Sequence, residues 1–167
     1  RAQIDEDLPA LGVDRVDMLL IRDHPDCDVM RAQWKEAEAA RSSGRAREIG
    51  VINFCESALR CILETCEAKP AVNYFMLHAG MGRDAHGLRT FGESKGIRTF
   101  AYGPLGEPGP EPGLVRADSV LGRIGAAHDR SPEQVALRWI LQSGCAASVR
   151  PTTAFALGKS ACSDEDQ

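Results

Sequence analysis

The chain holds no apolar run approaching the roughly 18 residues that a membrane-spanning helix requires, so no span is expected. Its opening, RAQIDEDLPA, has no apolar stretch of the signal-peptide kind. An initiator Met is also missing, which fits a processed chain, a fragment or an incompletely assigned sequence. Basic and acidic residues are interspersed, and the balance is slightly acidic at −4. That leaves no basic stripe for nucleic acid. There is no C-x-x-C pair, and the four His residues do not stand at zinc-ligand spacing, so no metal is expected. No internal repeat is present.

Six cysteines occur, at Cys27, Cys55, Cys61, Cys66, Cys145 and Cys162. Their spacing predicts reduced thiols, with Cys66 acting as a small hydrophobe on an apolar helix face. Reduced thiols in turn imply a reducing compartment, cytosol or organelle stroma. What remains is the composition of a soluble globular domain. Apolar residues make up 43% of 167, enough for one domain with a real core.

Short apolar runs alternate with amphipathic stretches. Val16–Ile21 (VDMLLI) is a continuous run suited to a strand buried on both faces. Asp28 is placed to cap a helix through about Arg41, with Met30, Trp34 and Ala37 inward and Gly44 as the stop. Strand Glu48–Ile52 follows, then helix Glu56–Glu67, whose Leu59, Ile62, Leu63 and Cys66 repeat at i, i+3, i+4, i+7. Strand Ala71–Phe75 leads to a helix from about Asp84 to Lys95, with Leu88 and Phe91 inward, and to strand Ile97–Tyr102. Gly106–Gly113 (GEPGPEPG) reads as an irregular loop. Ser119–His128 follows as a helix with Val120, Leu121 and Ile124 on one face. Ser131-Pro132-Glu133-Gln134 is a strong helix start: Ser131 caps, Pro132 is at N1 and Gln134 closes a capping box. That helix runs to Gln142, and Ala146–Val149 is the last strand. Strands alternating with helices predict a parallel sheet built of right-handed crossovers.

Read in order, these segments resemble the aldo-keto reductases. LGVDRVDMLLI (Leu11–Ile21) is similar to the entry into the family's fourth barrel strand, and SGRAREIGVINF (Ser43–Phe54) to the fifth-strand motif GxIRxIGVSNF. KPAVNYFMLH (Lys69–His78) resembles the sixth, KPxVNQxExH, and GIRTFAYGPLG (Gly96–Gly106) the seventh, GIxxxAYSPLG. SPEQVALRWILQSG (Ser131–Gly144) is similar to the last helix and AASVRPTT (Ala146–Thr153) to the eighth strand. The resemblance implies an α/β fold, part of a (β/α)8 barrel that typically takes ~250 residues. Residues 1–153 would be a partial barrel of about five parallel strands, the fourth to the eighth, entered inside the third helix. Residues 154–167 would be an irregular acidic tail. Five strands do not close a barrel, and open strand edges recruit partners. A protein partner covering the open edge is therefore expected.

The family transfers a hydride from a nicotinamide cofactor, NADP(H), to a carbonyl. A Tyr, aided by a Lys and an Asp, protonates the nascent alkoxide, and a His orients the carbonyl. No residue here matches the Tyr, Lys or Asp. The position of the His is Arg22, and His24 lies two residues later, before Pro25. A two-residue bulge would bring His24 into the site as a catalytic residue; otherwise it is a loop residue past the strand. The pair that grips the nicotinamide carboxamide reads Ile52-Asn53, so Asn53 is a candidate ligand and Ile52 offers no polar group. The family's Gln on the carboxamide is Tyr74. Tyr102 matches the Tyr that stacks on the nicotinamide, or is a core aromatic at a strand end. Pro104, Leu105 and Gly106 match the loop that approaches the pyrophosphate. Arg150, in Val149-Arg150-Pro151-Thr152, offers a guanidinium for phosphate, one residue out of register. His78 reads as structural, and His86 and His128 as surface residues.

Three departures (Ile52, Tyr74 and the broken His motif) remove polar contacts that orient cofactor or substrate. They predict a catalytically degenerate relative acting as an accessory or structural subunit. The alternative is the C-terminal part of an NADP-dependent carbonyl reductase. A third reading is a sensor that binds the dinucleotide without turning it over.

Overall fold

The structure, a computed structural model, describes residues 2–82, 84, 87–106 and 113–149. His86, the middle of the Pro/Gly-rich loop, Arg150 and the acidic tail lie outside the described residues. The element order is α1 (Ala2–Leu11), β1 (Val16–Arg22), α2 (Cys27–Ser42), β2 (Ala46–Ile52), α3 (Glu56–Leu63) and β3 (Val72–Met76). A single 3-10 turn (Ala79–Met81) precedes α4 (Leu88–Lys95), β4 (Arg98–Tyr102), α5 (Val120–Ala127), α6 (Pro132–Gln142) and β5 (Ala146–Ala147). The five parallel strands follow chain order, as the alternation of strands and helices predicts, and they do not close a barrel. No helix among the described residues is long and apolar enough to cross a membrane. The chain divides into two compact units, Arg1–Phe75 with Leu88–Arg98, and Met76–Gly87 with Thr99–Gln167.

In the first unit β2 is the central strand. It pairs in parallel with β1, from Met18 opposite Glu48 to Arg22 opposite Ile52, and with β3 at Val51–Asn73 and Ile52–Tyr74. Ile49 and Val51 are fully buried, and α2 and α3 pack Met30, Trp34, Ala37, Leu59 and Ile62 into the same core. Gly50 sits where the backbones crowd. A Cβ there would lie 2.8 Å from a Leu20 methyl, a Val72 methyl and the Val72 carbonyl oxygen.

Several boundaries differ from expectation for identifiable reasons. Asp26, not Asp28, caps α2: its carboxylate accepts the Asp28 N–H at 2.8 Å. Asp28 then sits in the first turn, where its charge complements the helix dipole. α3 stops at Leu63 rather than Glu67, because the chain must leave the helix before Lys69-Pro70 enters β3. The Ile62 carbonyl still accepts the N–H groups of Thr65 and Cys66. α4 starts at Leu88 rather than about Asp84; Leu88 and Phe91 pack against the core as expected, Arg89 and Gly92 are buried, and the Arg60 guanidinium lies 4.6 Å above the Phe91 ring.

A disulfide joins Cys27 to Cys61, which overturns the expectation of reduced thiols throughout. The two residues are 34 apart in sequence and come together only when α2 lies against α3. Short-range cysteine spacing cannot register such a pair, so it does not report the redox state here. Among the described residues Cys55, Cys66 and Cys145 form no disulfide. Among the described residues no group of three or more His, Cys, Asp or Glu side chains is placed to hold a metal ion.

In the second unit, β4 and β5 pair at Phe100–Ala146 and Ala101–Ala147. β5 is shorter than expected. Ser148 donates its N–H to Ala101 O at 2.8 Å, and Val149 is already exposed. α5 shifts the expected stripe: Leu121 is buried as expected, together with Gly122 and Gly125, but Val120 and Ile124 are exposed. The helix is pressed against neighbouring chain by its glycines. A Cβ at Gly122 would lie 2.2 Å from Ala117 O, and one at Gly125 2.3 Å from Arg130 O. The capping box at α6 forms as predicted, with Ser131 N–H donating to Gln134 Oε1 at 2.9 Å and Gln134 N–H to Ser131 Oγ at 3.3 Å.

Gly50→Ala is expected to cost about 1–3 kcal/mol through overpacking against backbone, seen as a lower urea midpoint at unchanged slope. A midpoint at or above the parent's would show that β3 yields. Ser131→Ala should cost about 1 kcal/mol through the lost cap, and an unchanged thermal midpoint would count against it.

Candidate functional site

In parallel α/β folds the chemistry gathers at the C-terminal ends of the strands. In the first unit the β1 end comes first. Register runs without interruption from Met18 to Arg22, so Arg22 is the last paired residue of β1 and no bulge precedes it. Asp23 N–H continues the pairing to Ile52 O at 3.3 Å. His24 follows in the loop and is exposed. Its Nδ1 accepts the Asp26 N–H at 3.0 Å. That bond leaves Nε2 to carry the proton of the neutral ring, as a donor.

After β2 the chain turns abruptly. Asn53 adopts a left-handed conformation with φ 59°, a region Asn tolerates better than most side chains. Two hydrogen bonds from β3 hold it there. Asn53 N–H donates to Tyr74 O at 2.9 Å, and Asn73 Nδ2 donates to Phe54 O at 2.8 Å. Asn73 is 3% exposed, and its Oδ1 is buried without a hydrogen-bond partner among the described residues. Ile52 and Tyr74 are half-buried beside Asn53.

Cys55 follows as the N-cap residue of α3 and is exposed. Its sulfur lies 3.0 Å from Ser57 Oγ. That hydroxyl, then the Ala58 N–H, hold the Cys55 thiol below its ordinary value, against a smaller opposing effect of burial. Cys66 goes the other way, pushed up first by burial and then by the Glu38 charge.

In the second unit, Tyr102 ends β4, half-buried, with its carbonyl accepting the Leu77 N–H at 3.1 Å. Gly103-Pro104-Leu105-Gly106 forms a tight turn, closed by Gly106 N–H to Gly103 O at 2.9 Å. Gly103 and Gly106 both have positive φ, and Pro104 is buried. His78 is 3% exposed, consistent with a structural role, and His128 is exposed at the end of α5. The predicted candidates thus fall into two sets. His24 and Asn53 belong to the first unit, and Tyr102, Leu105 and Gly106 to the second.

The sequence profile described as the aldo/keto reductase family matches residues 1–160. The chain belongs to the aldo/keto reductase family. It is 42% identical over 115 residues to aldo-keto reductase family 4 member C11 of Arabidopsis thaliana, covering 66% of this chain and 35% of that protein. Over 159 residues it is 36% identical to morphine 6-dehydrogenase of Pseudomonas putida, covering 88% of this chain and 53% of the relative. Among solved structures, an aldo/keto reductase of Brucella melitensis superposes with a TM-score of 0.85 at 28% identity, covering 95% of this chain and 58% of its own. The chain therefore spans about half the length of these relatives, or less.

Sequence reasoning missed Cys55 and Asn73. Cys55 was legible as the residue immediately before a helix start with Ser57 two places on. The role of Asn73 was not, because its partner Phe54 lies 19 residues away. Iodoacetamide is expected to alkylate Cys55 before Cys66, with the inflection of the Cys55 rate profile at lower pH. Ser57→Ala should move that inflection upward. Equal rates for the two thiols would refute this ordering.

Proposed function

We propose that this chain forms the nicotinamide side of an NADP(H)-dependent carbonyl reductase. The observation that carries this reading is Asn53, set in a left-handed turn at the end of β2, where its N–H donates to Tyr74 O and Asn73 Nδ2 donates to the next carbonyl, Phe54 O. A carboxamide is both donor and acceptor, so an amide side chain at a strand end suits it. Within the first unit, Asn53 would hold the carboxamide. Within the second unit, the Gly103–Gly106 turn presents backbone that a phosphate group could approach closely. When bound, the cofactor supplies a hydride to the carbonyl. With no bulge in β1, His24 stays in the exposed loop and would donate from Nε2 to the carbonyl oxygen only if that loop moved inward. The proton-donating Tyr, its Lys and its Asp have no match in this sequence, so in this reading they come from outside these 167 residues.

A second reading is a catalytically degenerate accessory or structural subunit, with a protein partner on the open strand edge. It is favoured by Arg22 in the last paired position of β1, by Ile52 without a polar group, and by Tyr74 in place of an amide.

NADPH fluorescence titration separates the readings. Binding at or below near-millimolar cofactor is expected, with Asn53→Ala weakening it about tenfold, the worth of a hydrogen bond or two. Ile52→Ser should tighten it by restoring a hydroxyl. No fluorescence change at near-millimolar NADPH would defeat the reductase reading. The subunit reading then requires that the native protein migrate only within a larger particle.

A further inference from the structure

In the first unit α2 and α3 are tied together along one face by four links. The disulfide joins Cys27 to Cys61, with Cα atoms 6.0 Å apart. One turn on, Arg31 Nε donates to Cys61 O at 3.2 Å, and its guanidinium pairs with Glu64. Next, Trp34 Nε1 donates to Ala68 O at 3.0 Å, just past α3. Last, Glu38 Oε1 accepts the N–H groups of Glu67 and Ala68 at 2.7 and 2.8 Å. Positions 27, 31, 34 and 38 recur at the helical period, so the four links share a face.

They are unequal in kind. Arg31, Trp34 and Glu38 act along the body of α2, and the buried Met30, Trp34, Ala37 and Ala40 hold the same stretch by packing. At the first residue of the helix the link is covalent. Directly before it stands the loop that follows β1. Asp26 accepts the Asp28 N–H as the cap, and its own N–H goes to His24 Nδ1. The disulfide therefore anchors the residue adjacent to the one that holds the His24 ring.

We propose that the Cys27–Cys61 disulfide is a redox latch on the β1–α2 loop. A dithiol reductant opens it, freeing residues 23–26 and the first turn of α2, while the three remaining links keep α2 docked on α3. Of the two cysteines, Cys27 is half-buried and Cys61 is 8% exposed. The reductant's thiolate attacks the Cys27 sulfur and forms a mixed disulfide, and Cys61 leaves as a thiolate that takes up a proton. The second thiol of the reductant then displaces Cys27 and closes the reductant's own disulfide. Two electrons and two protons pass to the pair, and the dithiol is oxidised. The latch rests on the proposed function only for the meaning of His24. Its mechanics are independent of the cofactor.

The test is hydrogen-exchange mass spectrometry on the full chain, oxidised and after dithiothreitol, with Cys27→Ser alongside. Alkylation of the unfolded chain should label Cys27 and Cys61 only after reduction. Peptides covering 23–30 should exchange about tenfold faster once reduced, with those covering 34–41 and 56–63 little changed. Cys27→Ser should reproduce that pattern and no longer respond to dithiothreitol; should it fail to fold, the reduced wild-type chain carries the test. Alkylation of Cys27 and Cys61 before reduction would overturn the proposal. So would unchanged exchange at 23–30, or equal acceleration throughout α2 and α3. Since exchange needs no NADPH, failure here is distinct from failure of the reductase reading.

Discussion

The first unit depends on the burial of β2 between its two neighbours. Ile49 and Val51 are at most 1% exposed, and Gly50 between them admits no side chain because Leu20 and Val72 close over it. A strand buried this completely must have its backbone satisfied on both edges, and β1 and β3 do this in parallel register. Everything at its C-terminal end inherits the constraint. Once Ile52 is fixed opposite both Arg22 and Tyr74, Asn53 has one route out of the sheet. Left-handed backbone is that route, and the β3 side chain Asn73 secures it from the far side of the turn.

The helices that cover this strand are matched by polar as well as apolar contacts. The face of α2 that buries Met30, Trp34 and Ala37 also carries Arg31 and Glu38, which satisfy backbone groups in and beyond α3. Such bonds place the chain end between α3 and β3 without extending the helix, and this is why α3 can be short and still well anchored. The exposed ion pairs elsewhere, such as Arg60–Glu56, add little by comparison.

Membership of the aldo/keto reductase family and the departures within the site point in different directions, and they act at different levels. The family likeness resides in backbone: strand order, the Gly103–Gly106 turn, the Ser131 box and the superposition with a solved relative. The departures reside in side chains that would touch a ligand, namely Arg22, Ile52 and Tyr74. A fold tolerates such changes because none of the three is buried in the core. Whether chemistry tolerates them depends on contacts to cofactor and substrate, which fold alone does not determine.

Much of the fold was legible in the residue string because local physics and family motif agreed. The apolar runs marked β1 through β4, the 3.6-residue period marked the inner faces of α2 and α3, and Ser131-Pro132-Glu133-Gln134 announced α6. The candidate residues Asn53, Tyr102, Leu105 and Gly106 were legible through motif position, and the structure sets each at or just past a strand end. Local pattern failed where a distant segment decided the outcome. The α5 stripe was misassigned because glycines, which no hydrophobic period detects, form its close contacts with Ala117 and Arg130. The stretch past α3, expected to be helical, is instead bonded at Glu67 and Ala68 to Trp34 and Glu38 on another helix. By itself the sequence determined the order and kind of the elements, since propensity, periodicity and capping act over a few residues. Only the tertiary structure decided that Cys27 and Cys61 are bonded, that Asn73 holds Phe54, and that His24 is turned toward Asp26. The reason is that the first two join residues 34 and 19 positions apart, and the last depends on how an anchored helix begins.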